Sequence, residues 1–353
     1  MKNHIKRNSN LEWLRIISML LIVVGHFSWQ TKWNFSHTNI FLQTGIQWLW
    51  FGGKLGVDLF ILISAYFLAT RKEIKIKPLV KLWEQVIFYS ILLTIVGILI
   101  FKLSINLKEI LYTFFPIITG AYWFVTAYVV MYLLAPYINK GLEKISKEQF
   151  RKLLIILMIL FLIVTVFHTE SIGFINDDAM TLIGVYPFGV YIRKYPEDLL
   201  KIKKSILLSA IFLNLIILYL SAFGINLISK YLKYNVNAHA FARFFGSVSP
   251  FQLLSAIFIF VLFVEMPVRH NRVVNSIASH VFAIYLVHCQ PLMIDFIWLS
   301  LVKASQFETT PYVFVYVLIV TTLIFGISIS IDYLRQWIYS FISKFWNKVV
   351  NVQ

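Results

Sequence analysis

Charge and cysteine are both scarce in this chain of 353 residues: 14% of positions are charged, and the one cysteine is Cys289. A soluble globular domain carries about 25% charged residues, so the first shortage excludes a water-soluble chain. The second excludes an intramolecular disulfide and any zinc site built from cysteines. Acidic side chains are fewer still, with 16 Asp and Glu against 32 Lys and Arg, a formal net charge of +16. No HExxH, EF-hand or P-loop pattern is present. Gly52, Gly53 and Gly56 lack the spacing and the Lys-Ser/Thr ending of a phosphate loop. No internal repeat, low-complexity tract or cleavable signal peptide is evident, and no metal is expected.

What is present is apolar: 59% hydrophobic residues, 17% aromatic, mean hydropathy +0.77. The expectation is an all-α, polytopic transmembrane bundle forming a single domain over 1–353. Apolar windows lie at about 11–30, 48–69, 82–102, 121–139, 152–168, 179–192, 205–223, 250–266, 279–300 and 312–331, about ten spans in all. The window at 179–192 is short and contains Pro187. The stretch 107–119 holds Pro116 and is followed by Gly120, and reads as re-entrant or interfacial. After Asp332, Tyr333, Trp337, Ile338, Phe341, Phe345 and Trp346 recur beside Arg335, Lys344 and Lys348, the pattern of an interfacial C-terminal helix. With an even span number both termini share a side. Placing them in the cytoplasm puts 23 Lys and Arg on that side and 7 on the other, with Arg15 and Lys54 inside spans. The excess of base is therefore a topology signal and an attraction to anionic membrane lipids, and no nucleic-acid partner is needed.

The first span contains three groups that are costly in a membrane: Glu12, Arg15 and His26. At about 100° per residue, His26 falls within about 20° of Arg15 and about 40° of Glu12, while the rise of about 1.5 Å per residue sets Arg15 and His26 roughly 16 Å apart. Taken singly, Glu12 and Arg15 can be an interfacial ion pair snorkelling to headgroups, and His26 a hydrogen-bonded packing histidine. Together they form one polar stripe reaching two depths, which points to a cavity. Arg suits phosphate and His suits proton transfer, so a large anionic donor held at the inner mouth, with chemistry deeper, fits the layout. Lys54 and Asp58, at i and i+4, read as a helix-stabilising pair. His288 and Cys289 are helical neighbours pointing about 100° apart, which argues against a nucleophilic dyad between them, and His288 reads as a cavity-lining residue. Trp123 can stack on a sugar or belong to a membrane belt. Asp177 and Asp178 read as a solvated turn.

Arg15, ten intervening residues and His26 also resemble the first span of the acyltransferase-3 family of integral-membrane acyltransferases. The resemblance continues through GVDLFILISAYFL (56–68), YWFVTAYVVMYLLAPYI (122–138) and SHVFAIYLVHCQPL (279–292), and covers essentially the full chain. Ala65 stands where the family has Gly, and His280 where it more often has small hydroxyl residues. The resemblance implies a stand-alone O-acyltransferase of a bacterial plasma membrane. It would move acetyl from cytoplasmic acetyl-CoA to a hydroxyl on a cell-surface glycan or lipid-linked saccharide. On this sequence Arg15, with Arg71 and Lys72, would hold CoA phosphates, His26 would act as base or acyl carrier, and Glu12 would orient Arg15. Ser64, Tyr66 or Tyr285 would serve the oxyanion, and Trp123 and His288 would meet substrate. Two other readings stay open: a succinyl or other donor on the same fold, and a glycolipid transporter or flippase.

Overall fold

The computed structural model describes residues 8–167, 178–199, 201–231, 240–246 and 249–350. Asp177 and the basic residues Lys2, Lys6 and Arg7 lie outside them. Among the described residues there is no strand, and twelve α-helices follow one another: α1 Ser9–Gln30, α2 Ile40–Leu68, α3 Ile76–Leu99, α4 Leu107–Phe114, α5 Trp123–Glu143, α6 Lys147–Phe167, α7 Asp178–Lys194, α8 Lys204–Tyr231, α9 Pro250–Glu265, α10 Arg272–Ser279, α11 Val281–His288 and α12 Val313–Val350.

Six of these, α1, α2, α3, α6, α8 and residues 313–341 of α12, are long and apolar enough to cross a membrane. The ten apolar windows therefore do not map onto ten long helices. In α5 the last turns carry Lys140 and Glu143, and α7 and α9 have only 17 and 16 residues. The window at 279–300 is not one span. It breaks at His280 between α10 and α11, turns at Cys289, and re-forms as a π-helix over Phe296–Val302. The stretch after residue 106 is the short helix α4, closed by a capping box of Asn106 and Glu109 and held to α3 by the Ser90 hydroxyl donating to Thr113 O at 2.9 Å. The expected interfacial helix is not separate: α12 runs on unbroken to Val350, with Tyr333, Trp337 and Phe341 exposed.

The innermost helices are α1 and α2, antiparallel and very close. A Cβ on Gly25 would lie 2.5 Å from Gly53 Cα, and one on Gly56 would lie 2.4 Å from Ser18 O. Without water to drive apolar association, close backbone approach is what van der Waals packing between membrane helices depends on, and glycine permits it. The methyl that Ala65 adds is accommodated in the same way by Gly189 of α7, where a Cβ would come within 2.5 Å of it.

Polar tethers set the remaining helices around this pair. Ser9 Oγ donates to Asn275 Oδ1 (2.8 Å) and accepts from Asn271 N (2.7 Å), fixing α1 against α10. Asp332 of α12, fully buried, accepts from Tyr89 Oη (2.8 Å), Arg335 Nε (2.6 Å) and Gln336 Nε2 (2.8 Å), and pairs with His280 Nδ1 at 2.6 Å. His280, unusual in its position by sequence, is thus a member of a saturated network joining α3, α12 and the α10–α11 junction. At one end of the bundle Lys147, Arg151, Glu197 and Asp198 form a further ion-pair cluster.

Candidate active site

A cavity of about 220 Å³ runs along α1. That helix contributes Arg15, Met19, Ile22 and His26, a 4-3-4 spacing that keeps all four on one face. Across from it α2 presents Val57, Phe60 and Ser64, α5 presents Trp123, Phe124 and Tyr128, and the α10–α11 segment presents Phe282 and Tyr285. The two depths of the stripe therefore open into one space: a guanidinium near the start of α1, an imidazole near its end, and a wall of aromatic and aliphatic side chains between. The cavity is elongated, with Arg15 and His26 roughly 16 Å apart along α1 and apolar side chains along its length.

Arg15 Nη1 donates to both carboxylate oxygens of Glu12 at 3.3 Å, and its side chain stays about a third exposed. Its guanidinium carbon lies 6.0 Å from the Phe67 ring centroid. Ser64 lies two turns beyond Gly56, which packs against Ser18, and lines the cavity together with Tyr128. Ser64 thus belongs to the Arg15 end. At the level of His26 the antiparallel α2 presents Lys54, whose ammonium lies 5.1 Å from the ring centroid of Trp123 and 5.6 Å from that of Trp50. The expected Lys54 and Asp58 pair is not formed as a hydrogen bond: Lys54 turns to the indoles, and both Asp58 carboxylate oxygens are buried with no hydrogen-bond partner among the described residues.

The other predicted residues are placed elsewhere. Arg71 donates to Tyr132 Oη and stacks 5.1 Å from that ring, just past the Arg15 end, its backbone carbonyl held by Asn139 Nδ2 at 3.0 Å. Lys72 lines a different pocket of about 290 Å³, together with Arg193, Lys194 and Glu143. Tyr66 does not line the cavity, because its hydroxyl accepts from Arg193 Nη1 at 3.0 Å and its ring lies 4.8 Å under that guanidinium. His288 is fully buried behind His26, its Nε2 lying 2.9 Å from His26 Nδ1.

Cys289 Sγ is 3.4 Å from the same His26 nitrogen, so the thiol meets a histidine on another helix and not its neighbour in sequence. Helical spacing rightly separates residues 288 and 289. It carries no information about which distant helix both will face, and this cluster was missed for that reason. Tyr128 was missed too, although its place in the quoted 122–138 segment, one and a half turns after Trp123, was a usable signal.

The model of a family described as an acyltransferase domain, of the acyltransferase-3 type, matches residues 8–331. No curated protein matches the chain. No solved structure matches it.

Proposed function

Since the chain belongs to the acyltransferase-3 family and is a helical membrane protein, we propose that it moves an acyl group from a coenzyme A thioester, acetyl-CoA first among them, to a hydroxyl of a cell-surface glycan or lipid-linked saccharide. One observation carries this reading: a single narrow cavity has an Arg at one end and a His at the other. The phosphates of CoA stay at the mouth beside Arg15, with Arg71 next to it, and the arm bearing the thioester enters the cavity toward His26. Positive charge concentrated toward that end supports a cytoplasmic mouth, cytoplasmic termini and a cell-membrane location.

At the far end His26 is the group able to take a proton. As the acceptor hydroxyl attacks the thioester carbonyl, its O–H proton passes to His26 and an O–C bond forms. When the tetrahedral intermediate collapses, the C–S bond breaks and the thiolate of CoA takes the proton back. The same imidazole acting as a transient acyl carrier requires the same accessible nitrogen. Negative charge developing on the carbonyl oxygen is met by Tyr285, which lines the cavity and whose ring lies 6.2 Å from that of His288. Glu12 fixes the Arg15 side chain. Trp123, with Lys54 against its face, forms the wall beside the reacting centre.

The test uses membrane vesicles with the cytoplasmic face outward and labelled acetyl-CoA, counting label that mild alkali releases from the glycan fraction. His26→Ala is expected to abolish transfer, and Arg15→Ala to raise KM for acetyl-CoA at least tenfold, the loss of about 1.4 kcal/mol or more in a charge-assisted contact. Transfer by His26→Ala at the wild-type rate would overturn the assignment.

A further inference from the structure

The hydrogen bonds behind His26 determine which of its two nitrogens reacts. His288 Nδ1 lies 2.6 Å from the carbonyl oxygen of Ile284, one turn earlier in α11. A carbonyl can only accept, so His288 Nδ1 carries the hydrogen. In a neutral imidazole the other nitrogen is then a bare acceptor. That nitrogen, His288 Nε2, stands 2.9 Å from His26 Nδ1, which must therefore be the donor. Cys289 Sγ, at 3.4 Å from the same Nδ1, fits as a second, weaker acceptor of that hydrogen. His26 is left with its lone pair on Nε2, at the ring edge away from α11, and His26 lines the cavity.

We infer that His288 is a positioning residue for acyl transfer: through the relay Ile284 O, His288, His26 it holds His26 in the Nδ1-protonated tautomer and makes Nε2 the nitrogen that accepts the substrate proton or the acyl group. The inference rests on the functional reading given above. When Nε2 takes the proton of the acceptor hydroxyl, the imidazolium keeps its Nδ1–H bond to His288 Nε2, and the proton later leaves from Nε2 to the departing thiolate. His288 itself neither gains nor loses a proton. Its placement is rigid: the ring is fully buried, packs edge to face on Trp298 at 6.2 Å, and the residue's carbonyl accepts from Trp298 Nε1 at 3.3 Å.

A bound metal would use the same three side chains, since His26, His288 and Cys289 bring their ligand atoms within 4.8 Å of one another. The 2.9 Å separation of the two nitrogens suits a hydrogen bond, whereas two nitrogens each about 2.0–2.1 Å from one tetrahedral zinc stand farther apart.

The vesicle assay with labelled acetyl-CoA tests the relay with two variants. His288→Leu, which keeps volume but has no acceptor, is expected to lower kcat about 100-fold or more, with KM for acetyl-CoA within about twofold. His288→Gln, whose side-chain oxygen can accept from His26 Nδ1, is expected to recover at least about tenfold of that loss. A purely packing role would predict the reverse order, because Leu replaces a buried ring better than Gln. Should either variant fail to fold, ¹⁵N spectra of histidine-labelled wild-type protein decide: the His26 signals, assigned by their loss in His26→Ala, are expected to show a bare Nε2 and a protonated Nδ1. Wild-type kcat in His288→Leu, a protonated His26 Nε2, or one equivalent of zinc in the purified protein would each overturn the relay. If His26→Ala also retains activity, the acyl-transfer assignment of His26 falls as well; if it is inactive while His288→Leu is fully active, only the relay falls.

Discussion

Replacing Gly25 by Ala adds a single methyl group beside His26 and tests whether the α1–α2 contact is what aims the imidazole. The new Cβ would stand 2.5 Å from both Gly53 Cα and Gly53 N. Carbon atoms rest at about 3.5–4.0 Å, so α1 must withdraw from α2 by about 1 Å at this level. Overpacking of this kind costs about 1–3 kcal/mol, reduced by the roughly 1 kcal/mol that Ala gains over Gly in a helix. The catalytic effect is the larger one. His26 is the next residue, and a displacement of about 1 Å takes its imidazole out of its present alignment with His288 and the cavity and lowers transfer about 100-fold. Gly53→Ala is the internal control, because a Cβ there meets Gly25 Cα at an ordinary 3.4 Å. It should leave the rate unchanged and the midpoint of thermal unfolding in detergent equal or slightly raised. The vesicle assay and thermal midpoints are measured side by side for both variants. Equal rates for Gly25→Ala and wild type, or an equal loss in Gly53→Ala, would refute the reasoning.

Asp332→Ala is expected to destabilise the protein by about 3–5 kcal/mol, read as a lowered unfolding midpoint, because it strips the buried His280 and Tyr89 and the partly buried Arg335 of their common acceptor. Asp198 governs a pH dependence. Hydrogen bonds from Lys147 (2.7 Å), from Tyr191 and from Arg151 (2.7 Å) hold its carboxyl well below the usual carboxylate range. A depressed folded pKa contributes stability above the unfolded value of about 3.9, and this is lost as pH falls through the folded value. Thermal midpoints should therefore drop in acid below about pH 4 for wild type, with a shallower drop for Asp198→Asn.

What the sequence makes legible is what depends on one helix alone. Glu12, Arg15 and His26 can be set on one face by angle, and the structure places Arg15 and His26 on the wall of one cavity and pairs Glu12 with Arg15. The helix break within 279–300 depends on other parts of the chain. Hydropathy averaged over that window is high throughout, yet α10 stops at His280, which Asp332 engages from 52 residues away, and the turn after α11 is closed by Gln290 Oε1 accepting from Met293 N at 2.7 Å. Tyr122 Oη and Trp298 Nε1 then take the carbonyls of Leu286 and His288. Each partner is polar or aromatic and sits in an apolar run, where spacing alone assigns it to a membrane belt or a core. Tyr66, expected at the oxyanion from its place in a family-like segment, lies outside the cavity lining, its hydroxyl accepting from Arg193 at the end of α7.

Buried polar groups in this bundle divide by how many of their bonds the protein itself completes. Asp332 accepts from Tyr89, Arg335 and Gln336 and is paired with His280, so its capacity is spent, and a group with nothing left to offer a ligand is structural. His288 uses both ring nitrogens within the protein, one on Ile284 and one on His26, and is likewise closed to substrate. His26 is different. Its Nδ1 is engaged twice, by His288 and Cys289, while the rest of the ring lies on the cavity. Arg15 likewise spends one terminal nitrogen on Glu12 and keeps a third of its side chain exposed, with further donors in its planar fork. Asp58 also leaves both buried carboxylate oxygens without a hydrogen-bond partner among the described residues, so an open position alone does not mark a site; what sets Arg15 and His26 apart is that both line one cavity, at its two ends. In the proposed reading a ligand with an anionic head and a reactive far end would complete both, which is why two open positions on one cavity, and not the number of polar residues, carry the proposal.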